Sequence, residues 1–337
     1  MNQPATDGTP AVAGDSRTRE VIIVGGGLAG LSAAIYLGRA KRDTLLIDSG
    51  KSMARWEPEV QNYLGFPDGI SGDDLLTRGR QQAEAYEVEF AGDEIVEASR
   101  EGEAFVLRSE KQRYCGRRLL LATGIFHLPP DINGVEECLG HSMFFCKDCD
   151  GCRVQGKTVA IYGWRNETVT YALGMLAYTP VVAVVTDGRK PAWDDTHARW
   201  LKEYEVPVFT ATIVHAGHNG CEIRCLHLSS GEEVEVDALF TTRGDVYYNK
   251  LARKLGADVD DEGQICVNDR MATSVSGLYA AGCVTPANCQ MIIAAGDGAR
   301  AAQAINQDLF EESLVTHHLR RLRRQQLATM ETEPAVR

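Results

Sequence analysis

The feature that most constrains this 337-residue chain is a glycine-rich turn between an apolar run and an alanine- and leucine-rich run. The β-branched run at 21–24 is typical of a buried parallel strand. Gly25, Gly27 and Gly30 follow in the spacing GxGxxG, and a helical pattern continues to about residue 40. In such a turn the first glycine permits the bend, the second leaves room for a pyrophosphate, and the third lets the helix pack on the strand.

A second apolar run, at 44–47, ends at Asp48. A carboxylate at this place in a βαβ unit can accept hydrogen bonds from a ribose. Strand, glycine turn, helix, second strand and acid together predict a dinucleotide site, with a glycine-rich turn that binds nothing as the alternative. The pattern alone does not distinguish FAD from NAD.

Charge and composition exclude several other classes of protein. The net charge of −12 argues against nucleic acid as the main partner. No apolar run approaches the ~20 residues of a membrane helix. The first 19 residues lack an apolar signal core, so we expect a flexible tail, a cytoplasmic protein, and mostly reduced thiols among its ten cysteines.

The segment CKDCDGC places Cys146, Cys149 and Cys152 in the spacing C-x2-C-x2-C. A redox disulfide needs two sulfurs within bridging distance and a stabilised thiolate. A zinc site needs four ligands, and a bacterial iron–sulfur site needs a further cysteine followed by proline, which is missing locally. The redox interpretation is favoured, while a metal site and three buried cysteines remain the alternatives.

Further motifs stand in a fixed order along the chain: EVQNYLGFP (59–67), LLLATG (119–124), CxxCD, VAIYG (159–163), GLYAAG (277–282) and QMIIAAGDGARAA (290–302). Together with the first glycine turn, they resemble the low-molecular-weight thioredoxin reductases from about Glu20 to Phe310. The resemblance implies an α/β fold with two Rossmann-like domains of the FAD/NAD(P)-binding type, the second inserted into the first. It also implies a homodimer.

The implied domain limits follow the motifs. An FAD-binding domain would comprise 20–129 and 248–316, and the inserted domain with CxxC would comprise 130–247. Residues 1–19 would be the tail and 317–337 a basic helix end and tail. We expect Gly296, Asp297 and Gly298 to open a helix that runs from Ala299 to about Arg324 and points its N-terminus at the flavin.

The resemblance also implies roles for individual residues. Cys149 would be the sulfur nearer the flavin, Cys146 the one that attacks a partner, and Asp150 an acid/base residue; the alternative for Asp150 is a helix cap or a surface acid. The residues implied along FAD are Gly25, Gly27, Gly30, Asp48, Met53, Asn62, Thr123, Gly124, Gly282, Cys283, Gln290, Met291 and Ile292. The family has Asp where this chain has Cys283, which is either redox-active or a small buried thiol.

The inserted domain departs from the family at its own glycine turn. Arg165 stands at the second glycine position and Thr168 at the third, and a side chain at Arg165 obstructs a pyrophosphate. The arginine pair that grips the 2′-phosphate is replaced by the run 184–187, which ends at Asp187. We infer that NADPH is not the electron donor; weak NADPH binding, or NADH on Asp187, is the alternative.

Some branches of that family work without pyridine nucleotide. One takes electrons from ferredoxin, and another comprises the diflavin-linked disulfide oxidoreductases of cyanobacteria, which this chain resembles more closely in its second turn and its SMARWEPEVQNYLGFP loop. That branch implies a second FAD and electron flow from thiols to flavin. The residues expected to border the second flavin are Trp56, Trp164, Arg165 and Trp193. Ordinary packing is the alternative for each tryptophan.

The sequence therefore predicts an FAD-dependent enzyme that exchanges electrons between flavin, the Cys146–Cys149 pair and a partner protein or small thiol. A ferredoxin- or NADPH-dependent thioredoxin reductase and a flavin-binding redox sensor are the rival functions. The basic segment His317–Arg324 is interpreted as a solvated helix end. Contact with an anionic membrane surface or an acidic partner is its alternative.

Overall fold

The computed structural model describes residues 17–332 and divides the chain into two compact units. The first unit comprises the chain up to Ser52, Leu76–Gly124 and the chain from Tyr248 onward. The second unit comprises Met53–Leu75 and Ile125–Tyr247.

Strands and helices alternate along most of the chain. The strands are β1 (Thr18–Val24), β2 (Thr44–Asp48), β3 (Glu89–Gly92), β4 (Glu97–Glu101), β5 (Ala104–Arg108), β6 (Arg113–Leu121), β7 (Ile125–His127), β8 (Met143–Phe144), β9 (Val159–Tyr162), β10 (Val182–Val185), β11 (Val208–Phe209), β12 (Ile213–Asn219), β13 (Glu222–Leu228), β14 (Glu233–Glu235), β15 (Ala238–Thr241), β16 (Asp245–Tyr247) and β17 (Leu278–Ala280). The α-helices are α1 (Leu28–Arg39), α2 (Gly72–Glu84), α3 (Lys147–Asp150), α4 (Asn166–Met175), α5 (Asp195–Glu203), α6 (Lys250–Lys254), α7 (Met291–Val315) and α8 (His318–Thr332). Short 3₁₀ turns span Met53–Trp56, Glu136–Cys138 and Gly151–Val154.

The first unit is built on a sheet in the order β3-β2-β1-β6-β5-β4, with β17 also paired to β6. Strand β1 pairs in parallel with β2 and β6, and β5 pairs antiparallel with β4 and β6. The central strands are apolar on both faces because helices cover them. Ile22, Leu119 and Leu278 are accordingly fully buried in one apolar cluster.

Helices α1 and α7 pack against each other through glycine. A Cβ atom at Gly298 would lie 2.0 Å from the Ala29 carbonyl oxygen, and one at Gly282 would lie 2.8 Å from the Ala29 Cβ. The backbones therefore meet at a distance that no side chain permits.

The second unit has a parallel sheet in the order β11-β10-β9-β15-β8. A three-stranded antiparallel sheet, β12-β13-β14, follows, and β7 pairs with β16 where the chain enters and leaves the unit. Two apolar clusters are built on the parallel sheet, one containing Tyr162 and Leu239 and the other containing Ile161 and Phe240.

The α/β class with two Rossmann-like units is confirmed, and several local predictions are corrected. Most of the predicted tail lies outside the described residues, but Thr18 and Arg19 already belong to β1. The helix expected from residue 299 to about 324 is wrong. Helix α7 begins at Met291 and ends at Val315, and α8 begins after His317, whose φ of 54° breaks the helix.

Residues 53–75 belong to the second compact unit, whereas the sequence had assigned them to the FAD-binding domain. Within residues 17–332, no helix has the length and apolar character needed to cross a membrane.

The glycines of α7 provide a matched test of this packing. We expect Gly298→Ala to lower the free energy of unfolding by roughly 2–3 kcal/mol, because its Cβ would overlap the α1 backbone. Gly296 is exposed and has no atom within 4 Å of a Cβ placed there. Gly296→Ala should raise the same free energy by about 0.5–1 kcal/mol. Denaturant titration of both variants checks this, and equal effects would contradict the close approach.

Candidate active site

The first glycine turn leaves an open cradle at the start of α1. Gly25 has φ of 109°, and a Cβ there would lie 2.2 Å from the Ala122 carbonyl oxygen. A Cβ at Gly30 would lie 1.9 Å from the Gly25 carbonyl oxygen. Gly27 is the N-cap of α1, and the nearest atom to a Cβ placed there is the Ser52 hydroxyl at 3.6 Å. This room and the free N–H groups of the helix end fit the pyrophosphate of FAD.

Asp48 lies beside this cradle. Its Oδ1 accepts a hydrogen bond from the Gly26 backbone N–H at 3.0 Å. A Cβ at Gly26 would lie 2.5 Å from the Asp48 carboxyl carbon. Gly26 is therefore required at the turn, although the GxGxxG spacing treats that position as variable.

The remaining residues predicted along FAD divide between the two units. Thr123 is already engaged, since its hydroxyl donates to the Tyr248 carbonyl oxygen at 2.7 Å. Gly282 and Cys283 follow β17, and Gln290 is the N-cap of α7 ahead of Met291 and Ile292. The first unit contains Gly25, Gly27, Gly30, Asp48, Thr123, Gly124, Gly282, Cys283, Gln290, Met291 and Ile292, and the second unit contains Met53 and Asn62.

Cys146 and Cys149 form a disulfide, with a Cα–Cα distance of 5.3 Å. Cys146 is the N-cap of α3, and its Sγ accepts a hydrogen bond from the Cys149 backbone N–H at 3.1 Å. Both residues are half-buried. Cys152 is an exposed free thiol. A metal interpretation of this segment loses two of its three ligands, because those two sulfurs are bonded to each other.

Asp150 is buried, with 4% of its surface exposed. Its Oδ1 accepts from an Arg153 guanidinium N–H at 2.9 Å, and the same guanidinium donates to the Gly140 carbonyl oxygen at 3.0 Å. Burial raises the pKa of Asp150, and the Arg153 partner only partly opposes that shift. Asp150 stands at the N-cap position of the 3₁₀ turn Gly151–Val154, but its side chain makes no capping hydrogen bond, and its burial excludes a surface acid.

Glu57 is a second carboxyl of this site that sequence reasoning missed. Burial and the neighbouring charge of Asp150 raise the pKa of Glu57 to about 7, against opposing effects from Arg153 and His127. His127 is held by Asp245, whose Oδ1 lies 2.5 Å from its Nδ1, and its ring stacks on Phe145 at 4.9 Å. The sequence shows Glu57 as an acid directly before Pro58. No sequence pattern indicates that this acid lies near Asp150.

The second glycine turn keeps the first glycine, as Gly163, but has Arg165 and Thr168 at the second and third positions. Gly163 follows β9, and Arg165 is the N-cap of α4, as Gly27 is of α1. The Thr168 hydroxyl fills the position of the third glycine, where it accepts from the Arg165 backbone N–H at 3.4 Å and lies 2.8 Å from the Thr242 hydroxyl. Arg165 thus carries a side chain at the position of Gly27, the glycine that leaves room for a pyrophosphate in the first turn.

In the loop after β10, Asp187 also hydrogen-bonds within the second unit. Asp187 accepts hydrogen bonds from the Tyr162 hydroxyl at 2.9 Å and from the Ile213 backbone N–H at 2.8 Å, so each of its oxygens has a partner. Arg189 lies 4.2 Å from the centre of the Trp164 ring. The sequence analysis missed this cation, which stands two residues beyond the expected arginine pair.

The residues predicted to border a second flavin fall in separate places of the second unit. Trp56 packs against Phe126 and Phe145. Trp164 contacts Arg165 and Arg189. Trp193 packs against the apolar cluster that contains Ile161 and Phe240. Among the described residues, only Trp164 and Arg165 of this set come together.

A glycine-lined dinucleotide cradle in one Rossmann-like unit and a redox disulfide in the other define a flavin-dependent disulfide oxidoreductase. Residues 19–307 match the family described as pyridine nucleotide-disulphide oxidoreductase. The chain belongs to this family and is an FAD-dependent, thioredoxin reductase-like member that acts on sulfur groups.

Curated relatives and solved structures agree with this assignment. Thioredoxin reductase of Bacillus subtilis (strain 168) is 30% identical over 90% of this chain and 99% of its own length. Thioredoxin reductase of Treponema pallidum (strain Nichols) is 32% identical over 85% and 95%. The crystal structure of a protein named HlmI superposes with a TM-score of 0.85 at 28% identity, over 92% of this chain and 98% of that one.

Ionisation of Glu57 should make stability depend on pH near neutrality. Its folded pKa lies above the ordinary value of 4.5, so the stabilisation it contributes is complete below pH 4.5 and is lost as pH rises through about 7. Glu57→Gln removes that loss. Between pH 5 and pH 8, we expect the unfolding free energy of wild type to fall by about 1–2 kcal/mol relative to the variant, a value reduced for partial solvent screening.

Denaturant titrations at several pH values check this expectation. Glu59→Gln, at an exposed position two residues along, serves as the control and should follow wild type. Parallel pH curves for wild type and Glu57→Gln would show that the carboxyl titrates as an ordinary surface acid.

Proposed function

We propose that the protein transfers two electrons between FAD and the Cys146–Cys149 disulfide and exchanges them with a thiol or disulfide partner, without NADPH. The observation that carries the proposal is the bonded cysteine pair on α3, followed directly by a buried acid. When bound at the Gly25–Gly30 turn, FAD supplies reversible two-electron chemistry.

The two sulfurs have different surroundings, which suits a division of roles. The backbone N–H of Cys149 points at the Cys146 Sγ and favours a thiolate there once the disulfide is reduced. A Cys146 thiolate attacks a partner disulfide and forms a mixed disulfide. Cys149 then attacks the Cys146 sulfur, which restores the intramolecular bond and releases the partner as a dithiol.

The reverse sequence oxidises a partner dithiol with the same atoms. A partner thiolate attacks the Cys146 Sγ, the disulfide breaks, and Cys149 is left as a thiolate. The partner's second thiol then attacks its own sulfur in the mixed disulfide and displaces Cys146, so the partner leaves as a disulfide. The raised pKa of Asp150 allows its carboxyl to hold the proton exchanged at Cys149. Arg153 fixes the orientation of that carboxyl through its 2.9 Å hydrogen bond.

Independence of NADPH is supported by the second turn. Arg165 and Thr168 place side chains where the first turn has glycines, and both oxygens of Asp187 already accept hydrogen bonds. The pyridine nucleotide does not fit this arrangement. Arg189 is the feature that favours the rival proposal, because a guanidinium in this loop can bind a phosphate.

A second FAD, as in the diflavin-linked enzymes, is a further part of the proposal. It is supported by the half-exposed Trp164 ring, which has Arg189 on its face and Arg165 beside it, because an aromatic ring with cations can stack on a flavin and bind its phosphates. The separate positions of Trp56 and Trp193 limit the stacking surface to Trp164.

Dithiol reduction tests the role of the cysteine pair. Under anaerobic conditions, excess dithiothreitol should bleach the flavin absorbance of wild type within minutes and leave that of Cys149→Ser unchanged, because the sulfur proposed to face the flavin is lost. Cys152→Ser alters an exposed free thiol three residues away and should bleach like wild type. Bleaching of Cys149→Ser at the wild-type rate would refute the electron path through this pair.

Flavin content and donor choice are tested on the same preparation. Heat release of the flavin should give two FAD per chain if the second flavin is present, and one if it is not. NADPH should bleach the flavin at least about 100-fold more slowly than it bleaches the Bacillus subtilis thioredoxin reductase, since a spoiled pyrophosphate site costs several kcal/mol. Bleaching at equal rates would assign the protein to the NADPH-dependent reductases.

A homodimer and contact with an anionic surface through His317–Arg324 remain proposals. Residues 320–328 of α8 are exposed, with basic residues and the apolar side chains of Leu322 and Leu327. Leu314 and Val315 are exposed at the end of α7. Such a helix suits contact with a protein or with a lipid surface. Sedimentation of the protein alone reports a dimer, and co-sedimentation with anionic vesicles reports contact with an anionic surface.

A further inference from the structure

A second disulfide joins Cys283 and Cys289, with a Cα–Cα distance of 4.9 Å. It closes the loop between β17 and α7 in the first unit. The other six cysteines outside the Cys146–Cys149 pair are free thiols. Cys283 is therefore not the small buried thiol that was one of its two sequence interpretations, and the redox-active interpretation remains.

The two sulfurs of this second disulfide are held differently. Cys283 follows Gly282, whose backbone N–H donates to the buried carboxylate of Asp297 in α7, so the chain before Cys283 is fixed. Cys289 ends a stretch in which residues 286–288 are exposed. A thiol released at Cys289 can therefore move, whereas one released at Cys283 stays in place.

Cys289 also lies at the start of a 25-residue helix. Gln290 is the N-cap of α7, and its side chain makes no capping hydrogen bond. The unpaired N–H groups and the dipole of such a helix end stabilise a thiolate. A disulfide sulfur that leaves as a stabilised thiolate is displaced more readily, so Cys289 is the better leaving group of the pair.

The loop between these cysteines is short and uncharged, with the sequence Val-Thr-Pro-Ala-Asn. Cys283 and Cys289 are both half-buried residues, so neither is enclosed in the core. An uncharged loop attracts neither acidic nor basic partners, and half-buried sulfurs disfavour a bulky one. These features suit a small neutral dithiol.

We propose that Cys283–Cys289 is a second redox disulfide, which exchanges with small neutral dithiols. A thiolate of the dithiol attacks the Cys283 Sγ, the disulfide breaks, and Cys289 leaves as a thiolate. The second thiol of the small molecule then attacks its own sulfur in the mixed disulfide and displaces Cys283. The small molecule loses two electrons and two protons, and the cysteine pair gains both.

This inference rests on the proposed function in one respect: the residues before Cys283 and after Cys289 are those proposed to hold FAD. Reduction of the bridge would loosen the loop between Gly282 and Gln290. The reaction of the cysteines themselves does not require the flavin, so the two proposals can fail separately.

The experiment is an anaerobic titration of the full-length flavoprotein with dihydrolipoamide, followed by acid quench, alkylation and peptide mass spectrometry. Cys283 and Cys289 should become alkylated, and the wild type should consume one more two-electron equivalent than Cys283→Ser/Cys289→Ser. Full bleaching of the flavin with Cys283 and Cys289 still bridged would overturn the inference and leave the proposed function standing.

The variant Cys146→Ser/Cys149→Ser separates the two proposals. Its flavin should stay oxidised, while Cys283 and Cys289 should still be reduced directly by dihydrolipoamide. If Cys283 and Cys289 are alkylated in wild type but not in this variant, their reduction depends on Cys146 and Cys149. That result would contradict a direct exchange site. Should Cys283→Ser/Cys289→Ser fail to fold, the wild-type alkylation pattern decides the question alone.

The different reactivity of the two released thiols can be measured directly. After reduction, iodoacetamide at pH 7 should alkylate Cys289 several-fold faster than Cys283, because the helix end stabilises a thiolate. Equal rates at the two positions would contradict the role given to α7.

Discussion

The structure of the first unit depends on backbone atoms that approach one another where no side chain intervenes. A Cβ at Gly30 would overlap the Gly25 carbonyl oxygen, and one at Gly298 would overlap the Ala29 carbonyl oxygen. These two contacts hold α1 close to β1 and α7 close to α1. The N-terminus of α1 is thereby presented beside Asp48, with open space at Gly27 for a diphosphate.

The second unit shows that the same turn does not require the same glycines. Gly163 retains the first position, where the strand must bend, and a Cβ there would overlap the Thr168 and Thr242 hydroxyls. Arg165 and Thr168 then occupy the second and third positions without disturbing the start of α4. Folding needs only the first glycine, whereas binding a pyrophosphate needs the second. The fold of the second unit therefore does not itself require glycine at the second and third positions of its turn.

Local patterns allowed the sequence to predict β1, the first glycine turn, α1, β2 and the bonding of Cys146 to Cys149. Each of these depends on residues close together in the chain. The position of Glu57 beside Asp150 depends on contacts between distant segments, so no spacing rule could reveal it. The bridge from Cys283 to Cys289 was missed because the family comparison treated Cys283 as a replaced aspartate and gave Cys289 no role. The start of α7 was misplaced because its internal glycines serve helix packing and do not break the helix.

Two acidic side chains and one basic side chain lie close together near α3. Two carboxyls, Glu57 and Asp150, lie near the Arg153 guanidinium, and burial raises the pKa of both. One positive charge cannot fully compensate two buried carboxylates, so the group favours retention of a proton close to neutral pH. Thiol–disulfide exchange moves protons as well as electrons, because a displaced thiolate must be protonated if it is not to attack again. Asp150 directly follows Cys149 in the chain, so under the proposed function its carboxyl would supply that proton.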